Sequence, residues 1–146
     1  FFFKQKTAYE IYQCDWSSDV CSSDLISNYL EQKWLDMLSG TAFTAPAGTW
    51  LQLHTADPTD AGTTSVASNS TRQSASWAAA SNPAGTKATS ATVTWTSVPA
   101  AETYSHWSLW DASTAGNCLW TGALASNATV AIGDTFQITS LTLTLD

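Results

Sequence analysis

Charge is scarce in this chain. Only 12% of its 146 residues are Asp, Glu, Lys or Arg, and the formal net charge is −7. That balance excludes a protein that tracks a nucleic-acid phosphate backbone, because such binding leaves a basic footprint. Long apolar runs are also missing: none approaches the roughly 18 residues of a membrane-spanning helix, so no helical span is expected. Cysteine is limited to three residues and methionine to one. The sequence contains no Gly-rich phosphate cradle, no Cys/His zinc spacing and no G-x-S-x-G nucleophile elbow. What it has in excess is tryptophan, with eight.

Residues 1 to 25 do not read like the rest. No period of 2 or 3.6 runs through them, and Lys4 and Lys6 are followed by mixed polar sequence rather than the apolar core of a secretory signal. The stretch resembles the conceptual translation of a short-read sequencing-library adapter, with Lys4 to Glu10 and Asp15 to Leu25 matching on either side of an index-sized gap. It is expected to be an artefact rather than a domain, and fold reasoning starts at Ile26. Without it Cys14 and Cys21 drop out, and Cys118 alone cannot staple a fold. Residues 26 to 146 carry Lys33, Arg72 and Lys87 against eight acids, a net charge of −5, and keep seven of the Trp. Their 121 residues can bury a core without metal or disulfide.

One helix is expected, over about residues 27 to 39. Ile26, Tyr29, Leu30, Trp34, Met37 and Leu38 fall at helical spacing, Asn28 and Glu31 form a capping pair, and Gly40 stands where a helix would stop. Such a helix either covers one end of its own β-core or docks on a neighbouring subunit. From Thr49 onward the pattern is β. Strands are expected at residues 50–55, 72–77, 91–96, 103–111, 117–124, 128–132, 135–138 and 141–145. Turn signals separate them at Asn82-Pro83, Val98-Pro99, Gly116-Asn117 and Gly133-Asp134, and residues 62–71 form the loop expected to be most mobile. The fold class is therefore mainly β, a single antiparallel β-sandwich domain over residues 26–146 with a jelly roll among its arrangements, plus one short N-terminal amphipathic helix.

Chemistry has few carriers here. His54 and His106 each sit in an expected strand among aliphatic, aromatic and hydroxyl neighbours, and read as structural or surface residues rather than as acid-base catalysts. Cys118 beside Leu119 and Trp120 reads as a small core hydrophobe. Asp57 and Asp60 sit in a run that could present oxygens to calcium, but an EF-hand would need Glu at position 68, which is Ser68, so a Pro turn opened by Asp57 is the better reading. No catalytic, metal or cofactor site is expected. The aromatics point instead to contact: Trp107 shares a face with Leu109, while Tyr104, His106 and Trp110 face the other way. One face belongs to the core. The other, together with Trp120, is a candidate surface for sugar stacking or a protein partner, unless a helix or loop covers it. Asn69-x-Thr71 and Asn127-x-Thr129 match the glycosylation sequon, a weak signal in a Ser/Thr-rich chain.

Several runs are recognisable together: Asn28-Tyr29-Leu30-Glu31, then Leu51-x-Leu53-His54-Thr55-Ala56-Asp57-Pro58-Thr59-Asp60-Ala61-Gly62, Arg72-Gln73, His106 through Ala112, Gly116-Asn117-Cys118-Leu119-Trp120, Gly133-Asp134 and the closing Leu141 to Asp146. From Ile26 to the end the chain resembles a family of small tailed-bacteriophage virion proteins, usually labelled tail fibre or minor tail proteins. The resemblance implies a non-enzymatic structural part of a phage particle, assembled in the bacterial cytoplasm. Its implied partners are other phage structural proteins and copies of itself, with a host surface glycan as a further candidate. Capsid decoration and a carbohydrate-binding, receptor-reading module are the alternatives it leaves open. Thr71 departs from relatives that often carry an aromatic before the Arg.

Overall fold

The computed structural model describes residues 26–82 and 84–145. The expectations for residues 1–25, Pro83 and Asp146 lie outside the described residues. The elements run α1 (Asn28–Leu38), β1 (Thr49–His54), β2 (Gln73–Ala75), β3 (Thr86–Ala88), β4 (Val93–Trp95), β5 (Glu102–Trp110), β6 (Cys118–Val130), β7 (Phe136–Ile138) and β8 (Thr142–Thr144). The described residues are mainly β and antiparallel, with one helix, as their alternating apolar pattern requires. Four strands form a sheet in the order β2-β1-β5-β6, and the remaining four form two ribbons, β3 with β8 and β4 with β7. Among the described residues no strand pairing joins the two ribbons to each other.

One hydrophobic cluster joins these parts. It takes Leu51, Leu53, Trp107, Leu109 and Trp120 from the sheet and Val93, Trp95, Ile138 and Leu143 from the ribbons. Phe136 bridges them, with its ring centroid 5.1 Å from Tyr104 edge-on and 6.0 Å from Trp95. The cross-strand register sets Leu51 opposite Leu109 and Leu53 opposite Trp107, which gathers the bulky side chains on one face. Among the described residues two buried polar atoms in this region, Tyr104 Oη and Trp120 Nε1, have no hydrogen-bond partner.

The long strand β6 differs instructively from the sequence pattern, which reads as two strands. Pairing with β5 holds Tyr104 opposite Ala128 and His106 opposite Ala123, so Ser105 alone faces Leu124 through Asn127. This irregularity, larger than the two-against-one of an ordinary bulge, falls in the gap between the two expected strands. The ribbon strand β3 was not expected, because Thr86-Lys87-Ala88 has no apolar alternation. It forms because β8 offers backbone partners to it, with Lys87 opposite Leu143.

Helix α1 is capped by Ser27, not by the expected Asn28. The Ser27 hydroxyl accepts from the Leu30 amide at 3.3 Å and donates to the Cys118 carbonyl at 2.6 Å, so one residue both starts the helix and ties it to β6. At the other end the Gly40 amide reaches the Met37 carbonyl and the Thr41 amide the Asp36 carbonyl, a Schellman stop made possible by the left-handed Gly40 (φ 85°). The expected apolar stripe is used in part: Ile26, Tyr29, Leu30 and Trp34 pack on the core. Leu30 is buried, whereas Met37 and Leu38 are 53% and 85% exposed, and Leu35 is 66% exposed.

Gly122 lies opposite Trp107, and a Cβ there would come within 2.6 Å of the indole. Gly122→Ala should therefore destabilise the fold by about 1–3 kcal/mol through overpacking, read as a lower urea midpoint at unchanged slope.

Candidate functional site

Strand alternation turns Gln52 and His54 of β1 and His106, Ser108 and Trp110 of β5 to the side opposite the Leu51–Leu53 face. Trp110 and Cys118 are buried there, apart from the main cluster. A loop of residues 55–72 folds across this polar face. Its sharp start comes from Asp57, whose side chain accepts the Thr59 amide at 2.8 Å, the turn expected from Asp57-Pro58. Gly62, left-handed at φ 67°, then touches down where a Cβ would lie 2.6 Å from the Cys118 sulfur and 2.9 Å from the Trp110 ring. Only glycine meets both demands.

Arg72 closes the loop. Its guanidinium lies 3.5 Å over the Trp110 ring, donates from Nε to Gln52 at 3.2 Å, and donates from Nη1 to the carbonyls of Ala112 at 3.0 Å and Ala115 at 2.5 Å. The turn it grips is organised by Asp111, which accepts the Asn117 amide at 2.7 Å and its side-chain amide at 2.9 Å. A planar fork that stacks and donates in several directions is what arginine supplies and lysine does not.

Beneath the loop lies a buried hydrogen-bonded relay. His54 Nδ1 is 2.8 Å from the Thr64 carbonyl, His54 Nε2 is 2.7 Å from Ser108 Oγ, and Trp110 Nε1 donates to the same Oγ at 2.7 Å. His54 and Ser108 are completely buried. Burial lowers the His54 pKa below its ordinary 6.5, with His106 and Arg72 adding repulsion, while the Thr64 carbonyl and Asp57 act the other way. Burial likewise pushes the Cys118 thiol up to about 12, and the Tyr104 phenol up to about 12 with help from Glu102. Each group is thereby held neutral at pH 7. The Ser108–His54 distance is that of a nucleophile and its base, but the pair is sealed from solvent, and the indole N–H already occupies the serine oxygen.

Two grooves open at the margins of the loop. One of about 360 Å³ runs between the start of α1, residues 60–63 and the turn at 116–118, with Trp110 and Cys118 among its lining. Asn28 Nδ2 donates to Asp60 at 3.2 Å beside it. Its lining, apart from Thr63, comes from the runs that carry the sequence resemblance. The other, about 440 Å³, is lined mostly by hydroxyl and amide side chains, including Ser68, Asn69, Gln73, Thr96 and Ser97. Among the described residues no three His, Cys, Asp or Glu converge as a metal group.

The aromatic contact surface expected from the sequence is not open. Tyr104, Trp107, Trp110 and Trp120 are all buried, at 0 to 5% exposure. Trp107 and Trp120 belong to the main core, and the loop covers Trp110. His106 is half-buried, with Nδ1 2.8 Å from Ser105 Oγ. The organising role of Arg72 and the partnership of His54 with Ser108 were missed by sequence reasoning. A signal did exist for Arg72, one of only three cations after residue 25, set within a Ser/Thr-rich stretch.

A family model described as Podophage GP4 fiber I protein gp80 matches residues 25–146, which spans every element described above. The chain belongs to this podophage fibre family. No curated protein matches it. The family places the chain among phage fibre structural proteins of the virion, in association with other phage proteins. In this fibre-family chain the Leu-His-Thr-Ala-Asp-Pro run is the end of β1 and the start of the covering loop, with His54 as its anchor.

Arg72→Lys should destabilise this chain by about 1–3 kcal/mol, close to the effect of Arg72→Ala, because lysine keeps the charge but loses the stacked fork. Urea unfolding of the two variants tests this. A wild-type midpoint in Arg72→Lys would show that charge alone suffices.

Proposed function

We propose that this chain is a tail-associated fibre subunit that works through contacts with other virion proteins and with copies of itself, rather than by chemistry. The observation that carries the proposal is the fibre-family match across residues 25–146. Two features of the fold support it. The groups with nucleophilic or acid-base capacity inside the fold, His54, Ser108 and Cys118, are buried and held neutral. The C-terminal half of α1 carries Leu35, Met37 and Leu38 into solvent instead of into the core, three large apolar side chains exposed close together on one short helix. The docking role for the helix is therefore favoured over the covering role for its second half, while Leu30 and Ser27 anchor its first.

The position in the particle is tested by labelling an epitope-tagged chain in purified phage particles for electron microscopy. Label at the tail is expected; label distributed over the capsid would overturn the tail assignment in favour of decoration. The contact role is tested by the double substitution Leu35→Glu, Leu38→Glu. Both positions are exposed, so the urea midpoint should move by no more than about 0.5 kcal/mol in stability, while incorporation into particles falls at least about tenfold. Unchanged incorporation would remove α1 from the contact surface.

A further inference from the structure

The loop that covers the polar face is held by hydrogen bonds whose directions can be assigned. A carbonyl only accepts, so the 2.8 Å contact of His54 Nδ1 with Thr64 O places the ring proton on Nδ1. Nε2 is then an acceptor and takes the Ser108 hydroxyl proton at 2.7 Å, while Ser108 Oγ accepts from the Trp110 indole at 2.7 Å. Every donor in the chain Trp110 to Ser108 to His54 to Thr64 has an acceptor. The arrangement is complete only for a neutral imidazole.

We propose that His54 is an acid-sensitive latch: neutral, it clamps residues 55–71 onto the sheet, and its protonation releases them. A proton on Nε2 turns the acceptor toward Ser108 into a donor, and the Ser108 hydroxyl, buried and already taking the indole proton, loses its acceptor. Among the described residues the added charge has no ion-pair partner in contact. Arg72 in the loop and His106, directly opposite on β5, repel it, while Asp57 at the loop's start attracts it. The loop is also under backbone tension, since Thr59 and Ser65 are both left-handed, at φ 59° and 51°, a region non-glycine residues seldom occupy and the β-branched Thr59 least readily. Lifting the loop relieves both the buried charge and these two conformations. Its far end is held separately, by Glu102 accepting the Ser68 amide at 3.0 Å and the Ser68 hydroxyl at 2.6 Å.

The sign follows from the direction of the shift. The folded His54 has a pKa below 6.5, so the unfolded or open chain binds the proton more readily; the latch is fully effective above about pH 6.5 and weakens as pH falls from there toward the folded value. One proton allows the opening constant to rise by at most about tenfold per pH unit within that window. Amide hydrogen exchange of the chain between pH 7.5 and pH 5, corrected for intrinsic rates, reads the opening directly. The reporters are Thr55, bonded to Ser65 O, and Ala67, bonded to Leu53 O. Their opening is expected to increase below pH 6.5 while the β5 amides stay protected, with the His54 ring nitrogens reporting the Nδ1–H form at pH 7.5 and titrating at the midpoint of loop opening. Glu102→Gln should keep this response, His54→Gln should abolish it, and His106→Asn should move its onset to higher pH. Flat exchange across the range, an Nε2–H tautomer, or His54 titrating while Thr55 and Ala67 remain protected would each overturn the proposal; the ring measurements on the unmodified chain decide it even where a variant fails to fold.

Discussion

A sheet can bury polar side chains on one face only if something comes down to meet their hydrogen bonds, because an unpaired buried donor or acceptor costs about 1–3 kcal/mol. Gln52, His54 and Ser108 impose that requirement at the centre of this sheet, where all three are buried. The loop of residues 55–72 answers it with one carbonyl for His54, a guanidinium for Gln52 and a cover for Trp110. Much else in this half of the molecule depends on that contact. The turn at 111–117 is placed so that its carbonyls receive Arg72, and Gly62 has no side chain because Cys118 and Trp110 leave no room for one.

The hydrophobic part of the architecture was legible because it follows simple periodicity. Leu51 and Leu53, Trp107 and Leu109, and the closing Leu-Thr alternation announce strands, and the structure places strands on them. Gly40 stops the helix as its freedom to turn left-handed suggested. The departures have equally local reasons. Ser27 outcompetes Asn28 as cap because its hydroxyl also reaches the Cys118 carbonyl, a tertiary contact that no window of helix sequence contains. The two strands expected at 117–124 and 128–132 are one strand, since the irregular residues Leu124 to Asn127 bulge rather than turn back.

The covered polar face was less legible, because its logic joins residues far apart in the chain. His54 and Ser108 are 54 positions apart, and Arg72 and Ala115 are 43 apart. Alternation correctly separated Trp110 from Leu109, and the possibility of a covering loop was open from the start. What periodicity cannot reveal is whether the polar residues sharing a face with Trp110 are wetted or paired. Loop composition says nothing of seating either: in a stretch rich in Gly, Ser, Thr and Asn, Gly62 is the residue whose missing side chain permits close approach to Cys118 and Trp110.

This changes what the Leu-His-Thr-Ala-Asp-Pro run means. As a run that carries the sequence resemblance it invites a search for a ligand, and its His and Asp would be the residues to suspect. In the fold, the leucines enter the core, His54 anchors the loop, Asp57 closes the turn that reverses the chain, and Pro58 is buried beneath it. Each letter is accounted for by the same event, the chain leaving β1 and doubling back over its own polar face. The exposed apolar side chains lie elsewhere, in elements this run does not include. The outer half of α1 keeps its leucines and methionine in solvent, and a helix tied at its first turn through Ser27 can present them without disturbing the sheet beneath. Seating and exposure are thus carried by different residues of one short helix, the first set tied to β6 through Ser27 and Leu30 and the second left in solvent.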